Sequence, residues 1–194
     1  MEQSDITEEK LAKMCQKADP QARKMLYERY GGLLMAICVR YTGDSEPARD
    51  VLHDGFIRIF QSMDKFTYMG EGSLKAWLSR VIVNEALGYL RRRSTQQQQE
   101  VVLDEIPDAE MEDDAVNEIP REVLMRFIKE LPDGYRSVFN LYVFEEKSHK
   151  EIGELLGITE HTSSSQFYRA KSLLSVKDRG GLEDNLSFKY HIYK

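Results

Sequence analysis

The chain has 194 residues, enough for one medium domain or two small ones, and its 41% apolar content can fill a core. A net charge of −6 argues against a uniformly basic nucleic-acid binder. No N-terminal apolar leader and no apolar run near the ~18 residues of a membrane span are present, so a soluble, cytoplasmic protein is expected. Cys15 and Cys38 are far apart and form no C-x-x-C pair, which predicts plain buried or half-buried thiols.

Asp19-Pro20 opens a segment whose apolar residues, Met25, Leu26, Tyr30, Leu33, Leu34, Ile37 and Tyr41, follow the helical repeat. Gly31-Gly32 weakens its middle and allows close packing or a bend. Thr42 to Ser45 reads as a turn, with Asp44 or Ser45 as N-cap and Pro47 tolerated in the first turn of the next helix. That helix is expected to bury Ala48, Val51, Leu52, Gly55, Phe56, Ile59 and Met63. A loop rich in aromatics and glycine follows, Lys65 to Ser73, and then the helix KAWLSRVIVNEALGYLRRR from Lys75 to Arg93.

With Trp77 placed on the core side of that helix, Leu78, Val81, Ile82, Ala86 and Leu90 fall on or beside one stripe. Asn84 then lies on another face, with Arg80 four residues before it, Gly88 four after and Arg91 seven after. This face is polar, positive and partly bare. It suits a polyanion, although a solvated helix end would show the same pattern. Phe66, Tyr68 and the small residues Gly70, Gly72 and Ser73 in the preceding loop could form a base-stacking pocket, or simply pack.

The charge is unevenly spread. Nine acidic residues fall between Ser94 and Pro120 with no Lys or Arg among them, and the remainder carries 27 basic against 24 acidic residues, a surplus of +3. The same segment holds a glutamine run and two prolines, a composition that reads as a flexible linker. Beyond it, Glu122 to Glu130 presents Val123, Leu124, Phe127, Ile128 and Leu131 on one face. A turn at Pro132-Asp133-Gly134 and a helix from Tyr135 to Phe144 are expected next. Ser148-His-Lys-Glu151 has the form of a capping box. It opens a helix from Lys150 to Leu156, with Ile152, Leu155 and Leu156 inward. Gly157-Ile158-Thr159 makes a short turn before a helix from about Glu160 to Ser175. This is helix-turn-helix spacing, with Glu160, His161, Ser163, Ser164, Tyr168 and Lys171 expected outward and Arg169 beside them. An ordinary helical hairpin is the alternative. No stretch alternates with a period of two.

The fold class expected is therefore all-α: two small helical domains joined by a flexible acidic linker, the second containing a helix-turn-helix. The boundaries are 1–93, 94–120 for the linker and 121–176, with a disordered tail at 177–194. Asp50 and Asp54 lie four apart, but no further ligand completes a metal or acid–base site, so no catalytic residue, metal or cofactor is expected.

Two ordered blocks, ARDVLHDGFIRIFQSMDKF…GSLKAWLSRVIVNEALGYLRRR and LPDGYRSVFNLYVFEEKSHKEIGELLGITEHTSSSQFYRAKSLL, together with LYERYGGLLMAICVRYTGD, resemble one family. They are similar to bacterial sigma factors of the extracytoplasmic-function group in the sigma-70 family, in a Bacteroidetes-like flavour. The resemblance covers roughly residues 20–93 and 121–175. It implies a non-catalytic transcription initiation factor with core RNA polymerase and promoter DNA as partners. An anti-sigma factor, for which the linker leaves room as a clasp, is a further partner it admits.

Position by position, the resemblance implies core-polymerase contacts at Asp50, His53, Asp54 and Arg58. It implies contacts to the separated −10 strand at Phe66, Tyr68, Ser73, Arg80, Asn84, Arg91 and Arg92. It implies −35 duplex contacts at His161, Ser164, Ser165, Tyr168 and Arg169. His53 replaces a usual glutamine, Ser164 a frequent basic residue and Gln166 a frequent arginine, which lowers the phosphate attraction expected of the second domain. Two rivals differ in class: a free-standing helix-turn-helix regulator, and a nucleic-acid enzyme using Asp50, Asp54 and Glu85.

Overall fold

The computed structural model describes residues 6–97 and 121–179, which form eight α-helices and, among the described residues, no strand. The chain divides into two compact units, Met1–Leu90 and Arg91–Lys194. The helices are α1 (Glu8–Gln16), α2 (Pro20–Thr42), α3 (Ser45–Ser62), α4 (Ser73–Gln97), α5 (Arg121–Lys129), α6 (Asp133–Val143), α7 (His149–Leu156) and α8 (Glu160–Arg179). Most of the acidic linker, from residue 98 on, and the tail from residue 180 lie outside the described residues. No helix among the described residues is long and apolar enough to cross a membrane.

In the first unit, α1 goes beyond the helices expected from sequence. Thr7 caps it by accepting from the Lys10 amide at 3.3 Å, and Leu11, Ala12 and Cys15 face the core. Asp19 caps α2 by accepting from the amides of Gln21 and Ala22, with Pro20 at its first position. α2 runs unbroken through Gly31-Gly32. It stops at Gly43, whose φ of +80° is the left-handed conformation that glycine adopts without steric cost. Asp44, the N-cap of α3, accepts from the Glu46 amide at 3.2 Å. All seven residues expected to line the inner face of α3 and its exit, Ala48 through Met63, are buried.

The core stripe of α4 differs from the sequence expectation. Leu74, Leu78, Ile82, Ala86 and Leu90 form an i, i+4 ladder, joined by Val83 and Leu87, whereas Val81 and Trp77 are only half-buried. The ladder is set where Ile82 packs over Gly55 of α3, since a Cβ on Gly55 would collide with the Ile82 side chain. Trp77 lies at the stripe's margin, against the Phe66 ring, 5.4 Å between centroids. Cys15 and Cys38 are free thiols, pushed up to about 11 and about 12 by burial, and are therefore unreactive at neutral pH.

In the second unit, α8 packs against α5, α6 and α7. Phe127, Ile128, Leu131, Phe139, Ala170 and Leu174 form its core. Asp133 and Gly134, expected in a turn, instead open α6. Pro132 at its N-cap holds φ at −53°, and Asp133 places a carboxylate in the first turn, where the helix dipole favours it. Arg136, only 4% exposed, fastens this junction. Its guanidinium donates to the carbonyls of Lys129 (3.0 Å) and Leu131 (2.8 Å) and to the Asp133 carboxylate. Burial lowers its affinity for the proton while Asp133 opposes that shift.

Replacing Arg136 with Met should strand carbonyls at the end of α5 and cost the second unit about 2–4 kcal/mol. Urea denaturation of the full chain, followed by helicity, measures the loss. Asp133→Asn, which leaves both carbonyl bonds in place, should cost less.

Candidate nucleic-acid interface

The first candidate face lies on α3. Asp50, His53 and Asp54 are exposed along it, and Ile57 adds an apolar patch that is 44% exposed. Arg58 projects from the same helix with its Nε 3.9 Å from the Glu85 carboxylate of α4. Glu85 is thus engaged with Arg58, its side chain only 14% exposed. Asp50, Asp54 and Glu85 do not gather into a metal-holding cluster among the described residues.

The second face lies on α4 and the loop before it. Ala76, Arg80 and Asn84 are exposed one turn apart, and half-exposed Gly88 continues the line. Gly88 leaves room beside Asn84, as the sequence reading expects, and Ala76 keeps the other end of the line open as well. Arg91 and Arg92, farther along α4, are also exposed.

The loop itself departs from the expected pocket. Phe66 is buried, 6% exposed and packed on Trp77, so its ring is not presented for stacking on a base. Tyr68 is half-buried. The Ser73 hydroxyl works inside the loop, donating to the Gly70 carbonyl at 2.6 Å and accepting from the Met69 amide at 3.2 Å. The most prominent side chain was missed by the sequence reading. Met69 is 86% exposed at the loop tip, a position that only the loop's folded path creates.

Two side chains of α1 reach this loop. The Glu8 carboxylate, on a residue 8% exposed, accepts from the Gly72 amide and from the Tyr30 hydroxyl of α2, each at 2.8 Å. Burial and this carboxylate push the Tyr30 hydroxyl far above the ordinary phenol range. The Gln16 amide donates to the carbonyls of Met63 (3.2 Å) and Phe66 (2.9 Å).

The third face is the helix-turn-helix. Ser148 and Glu151 form the expected capping box, with the Ser148 amide 2.9 Å from the Glu151 carboxylate and Lys147 pairing with it at 3.0 Å. The Ser148 amide, then the Lys147 ammonium, hold the Glu151 carboxyl down at about 2. Gly157 closes α7 with φ +72°. Gly153, which the sequence reading passed over, sets the tightness of the turn. A Cβ there would lie 2.7 Å from the Ile158 carbonyl oxygen and 3.4 Å from the Glu160 amide, both backbone atoms. Thr159 caps α8 by accepting from the Thr162 amide at 3.0 Å.

On α8, Glu160, His161 and Ser164 are exposed, and Ser165, Gln166, Tyr168 and Arg169 are half-buried. Arg169 also donates to the Tyr135 hydroxyl of α6 at 3.3 Å. Two side chains face opposite to expectation. Ser163 is fully buried, its hydroxyl 3.0 Å from Nδ1 of His149, whose ring stacks on Tyr142 at 4.7 Å. Leu155 is 37% exposed, whereas Ile152 is fully buried on α7.

Residues 26–96 match Sigma-70 region 2, and residues 121–174 match Sigma-70, region 4, together well over half the chain. An ECF RNA polymerase sigma-E factor of Haemophilus influenzae is 27% identical over 185 residues, covering 89% of this chain and 95% of that relative. An ECF RNA polymerase sigma factor, SigM, of Bacillus subtilis is 27% identical over 165 residues, covering 82% and 96%. The chain belongs to the sigma-70 family, in its extracytoplasmic-function group. This sigma factor is a promoter-specific transcription initiation factor, with core RNA polymerase and promoter DNA as its partners. Two solved structures are similar at low identity. CnrH in complex with the cytosolic domain of CnrY is 19% identical with a TM-score of 0.46, covering 89% of this chain and 97% of that one. RpoE in complex with the anti-sigma factor NepR from Bartonella quintana is 18% identical with a TM-score of 0.48, covering 82% and 98%. The α3 and α4 faces up to Arg92 fall within the region 2 match, and the helix-turn-helix up to Leu174 falls within the region 4 match.

Gly153→Ala should force α7 from the turn and destabilise the second unit by about 1–3 kcal/mol, read by urea denaturation of the sigma factor. The capping box carries a pH signature. Because the Glu151 carboxyl is held below its ordinary 4.5, its contribution is complete above that value and is lost as pH falls toward about 2. The stability gap between the native protein and Glu151→Ala should therefore be constant near neutrality and close across that acid window.

Proposed function

We propose that this sigma factor binds core polymerase through the α3 face, reads the −35 duplex with α8 and stabilises the melted −10 strand with α4. The observation that carries this reading is the exposed line of Ala76, Arg80 and Asn84 on a helix whose other side is buried from Leu74 to Leu90. A side-chain amide can hydrogen-bond a base edge, the neighbouring guanidinium can hold a phosphate, and the small residues let a nucleotide approach the backbone. Arg91 and Arg92 would extend the phosphate track along α4.

Asp50, His53, Asp54 and Arg58 form the proposed polymerase contact, with Ile57 as an apolar centre among charges. His161, Ser164, Ser165, Tyr168 and Arg169 form the proposed −35 contact. Short hydroxyls there favour base edges and phosphates without strong charge. Phe66 is left out of the −10 contact because it is spent in the core, and Ser73 acts through loop shape. Tyr68 remains the aromatic candidate in the loop.

In this reading the protein works in the cytoplasm, carries no catalytic residue of its own and leaves phosphoryl transfer to the polymerase. An anti-sigma factor belongs to it as a regulatory partner, on the sequence resemblance and the length of the acidic segment. The same resemblance favours a Bacteroidetes-like member of the group.

Asn84→Ala should lower strand opening at a cognate promoter about tenfold, the value of one good base contact. Core-polymerase affinity should stay within about twofold, since the α3 face is untouched. Permanganate footprinting of the −10 region and a binding titration with core polymerase read the two effects separately. Unchanged opening would remove Asn84 from the contact.

A further inference from the structure

Both ends of the loop between α3 and α4 are held by one helix. At its start, the Gln16 amide donates to the carbonyls of Met63 and Phe66 at 3.2 and 2.9 Å. At its end, the Glu8 carboxylate accepts from the Gly72 amide at 2.8 Å and is itself oriented by the Tyr30 hydroxyl. The bonds from α1 to the loop span 47 to 64 residues of sequence. Between the two anchor points the chain bulges outward and carries Tyr68 and the 86% exposed Met69.

We propose that Glu8 and Gln16 of α1 are positioning residues for promoter opening, fixing the loop that presents Tyr68 and Met69 to the unpaired −10 strand. The proposal rests on the −10 reading of α4 and its loop given above.

The physical need for such a splint is visible in the loop itself. Gly70 and Gly72 both have positive φ, +111° and +83°, with nothing within 4 Å of where their Cβ atoms would sit. Two adjacent-but-one glycines in open space have a large conformational entropy to lose on ordering. The Ser73 hydroxyl bonds close only the tip. Leu74 and Leu78 seat α4 in the core whether or not the Glu8 bond to Gly72 is made, so losing that bond should loosen the loop without unseating the helix. A carboxylate bonded to a buried tyrosine and a backbone amide fixes direction as well as distance, and charge-assisted bonds of this kind are the stronger class. A loop ordered before binding does not have to be ordered by the DNA, which strengthens capture of the strand.

Gln16 is exposed, so its loss leaves the core of α1 intact. Glu8→Gln keeps an oxygen that can accept from Gly72, whereas Glu8→Ala keeps none. These differences separate positioning from folding.

The test uses the full-length protein with core polymerase and a fork-junction DNA built on a start site mapped for this factor, its −10 strand unpaired. Three readouts are taken: amide exchange of residues 66–72, affinity of the holoenzyme for the fork-junction, and its preference for the native −10 sequence over a scrambled one. Gln16→Ala and Glu8→Ala should each speed amide exchange in the loop and lower the −10 preference, about tenfold for Glu8→Ala. Core affinity should stay within about twofold, and Glu8→Gln should recover part of both losses. If Glu8→Ala also lowers core affinity, Gln16→Ala decides the outcome by the same readouts. Tyr68→Ala separates the proposal from the reading beneath it. Should Tyr68→Ala reduce −10 preference while the α1 variants leave it unchanged, the positioning role is wrong and the −10 reading stands. Should Tyr68→Ala and Asn84→Ala both leave it unchanged, the −10 reading fails and the positioning role falls with it.

Discussion

The close backbone approach at Gly153 is the constraint on which the presentation of α8 depends. With the Ile158 carbonyl oxygen only 2.7 Å from the place of a Cβ, no other residue allows α7 to end and α8 to begin at this angle without displacing backbone. The remaining devices of the turn work because that approach is made. Gly157 turns the chain left-handed, Thr159 caps the next helix, and the Ser148–Glu151 box fixes the start of α7. Ser163 and Ala170 then point into the core, which turns His161 and Ser164 outward. The choice of which α8 side chains are left exposed is therefore made by packing on the opposite side of the helix.

The first unit solves the same problem with a different contact. Ile82 lying over Gly55 fixes the rotation of α4, and the i, i+4 ladder from Leu74 to Leu90 carries that phase along the helix. Arg80 and Asn84 are outward as a consequence. The loop ahead of α4 has no such ladder: beyond Phe66 packed on Trp77, polar contacts from α1 hold its two ends. Apolar packing holds the helices, and hydrogen bonds to backbone groups hold the connection between them.

The helices were legible in sequence to the degree that their signals were local. The N-caps at Asp44 and Ser148, the stop at Gly157, the inner face of α3 and the outward Asn84 follow from spacing and residue type alone. α1 was not read, although Thr7 before two glutamates and the spacing of Leu11 and Cys15 carry the same kind of signal in a shorter span. Ser163 looked outward because short hydroxyls favour surfaces, whereas its partner His149 lies 14 residues away on another helix. Phe66 could be read as a base stacker or as a packing residue, and the Trp77 ring against it settles for packing. Glu8 and Gln16 had no local signature, since their partners lie 22 to 64 residues away. The candidate faces were thus readable as helix faces, and the contacts that shape the loop were not. The two matched regions identify the family without reaching that detail.

Run-off transcription with purified core polymerase on genomic fragments, followed by mapping of the transcript starts, tests the central claim most directly. The account predicts starts that require this protein and lie downstream of two recurring sequence elements at fixed spacing, one at −10 and one at −35. Starts that are the same with core polymerase alone, or that share no such pair of elements, would contradict it.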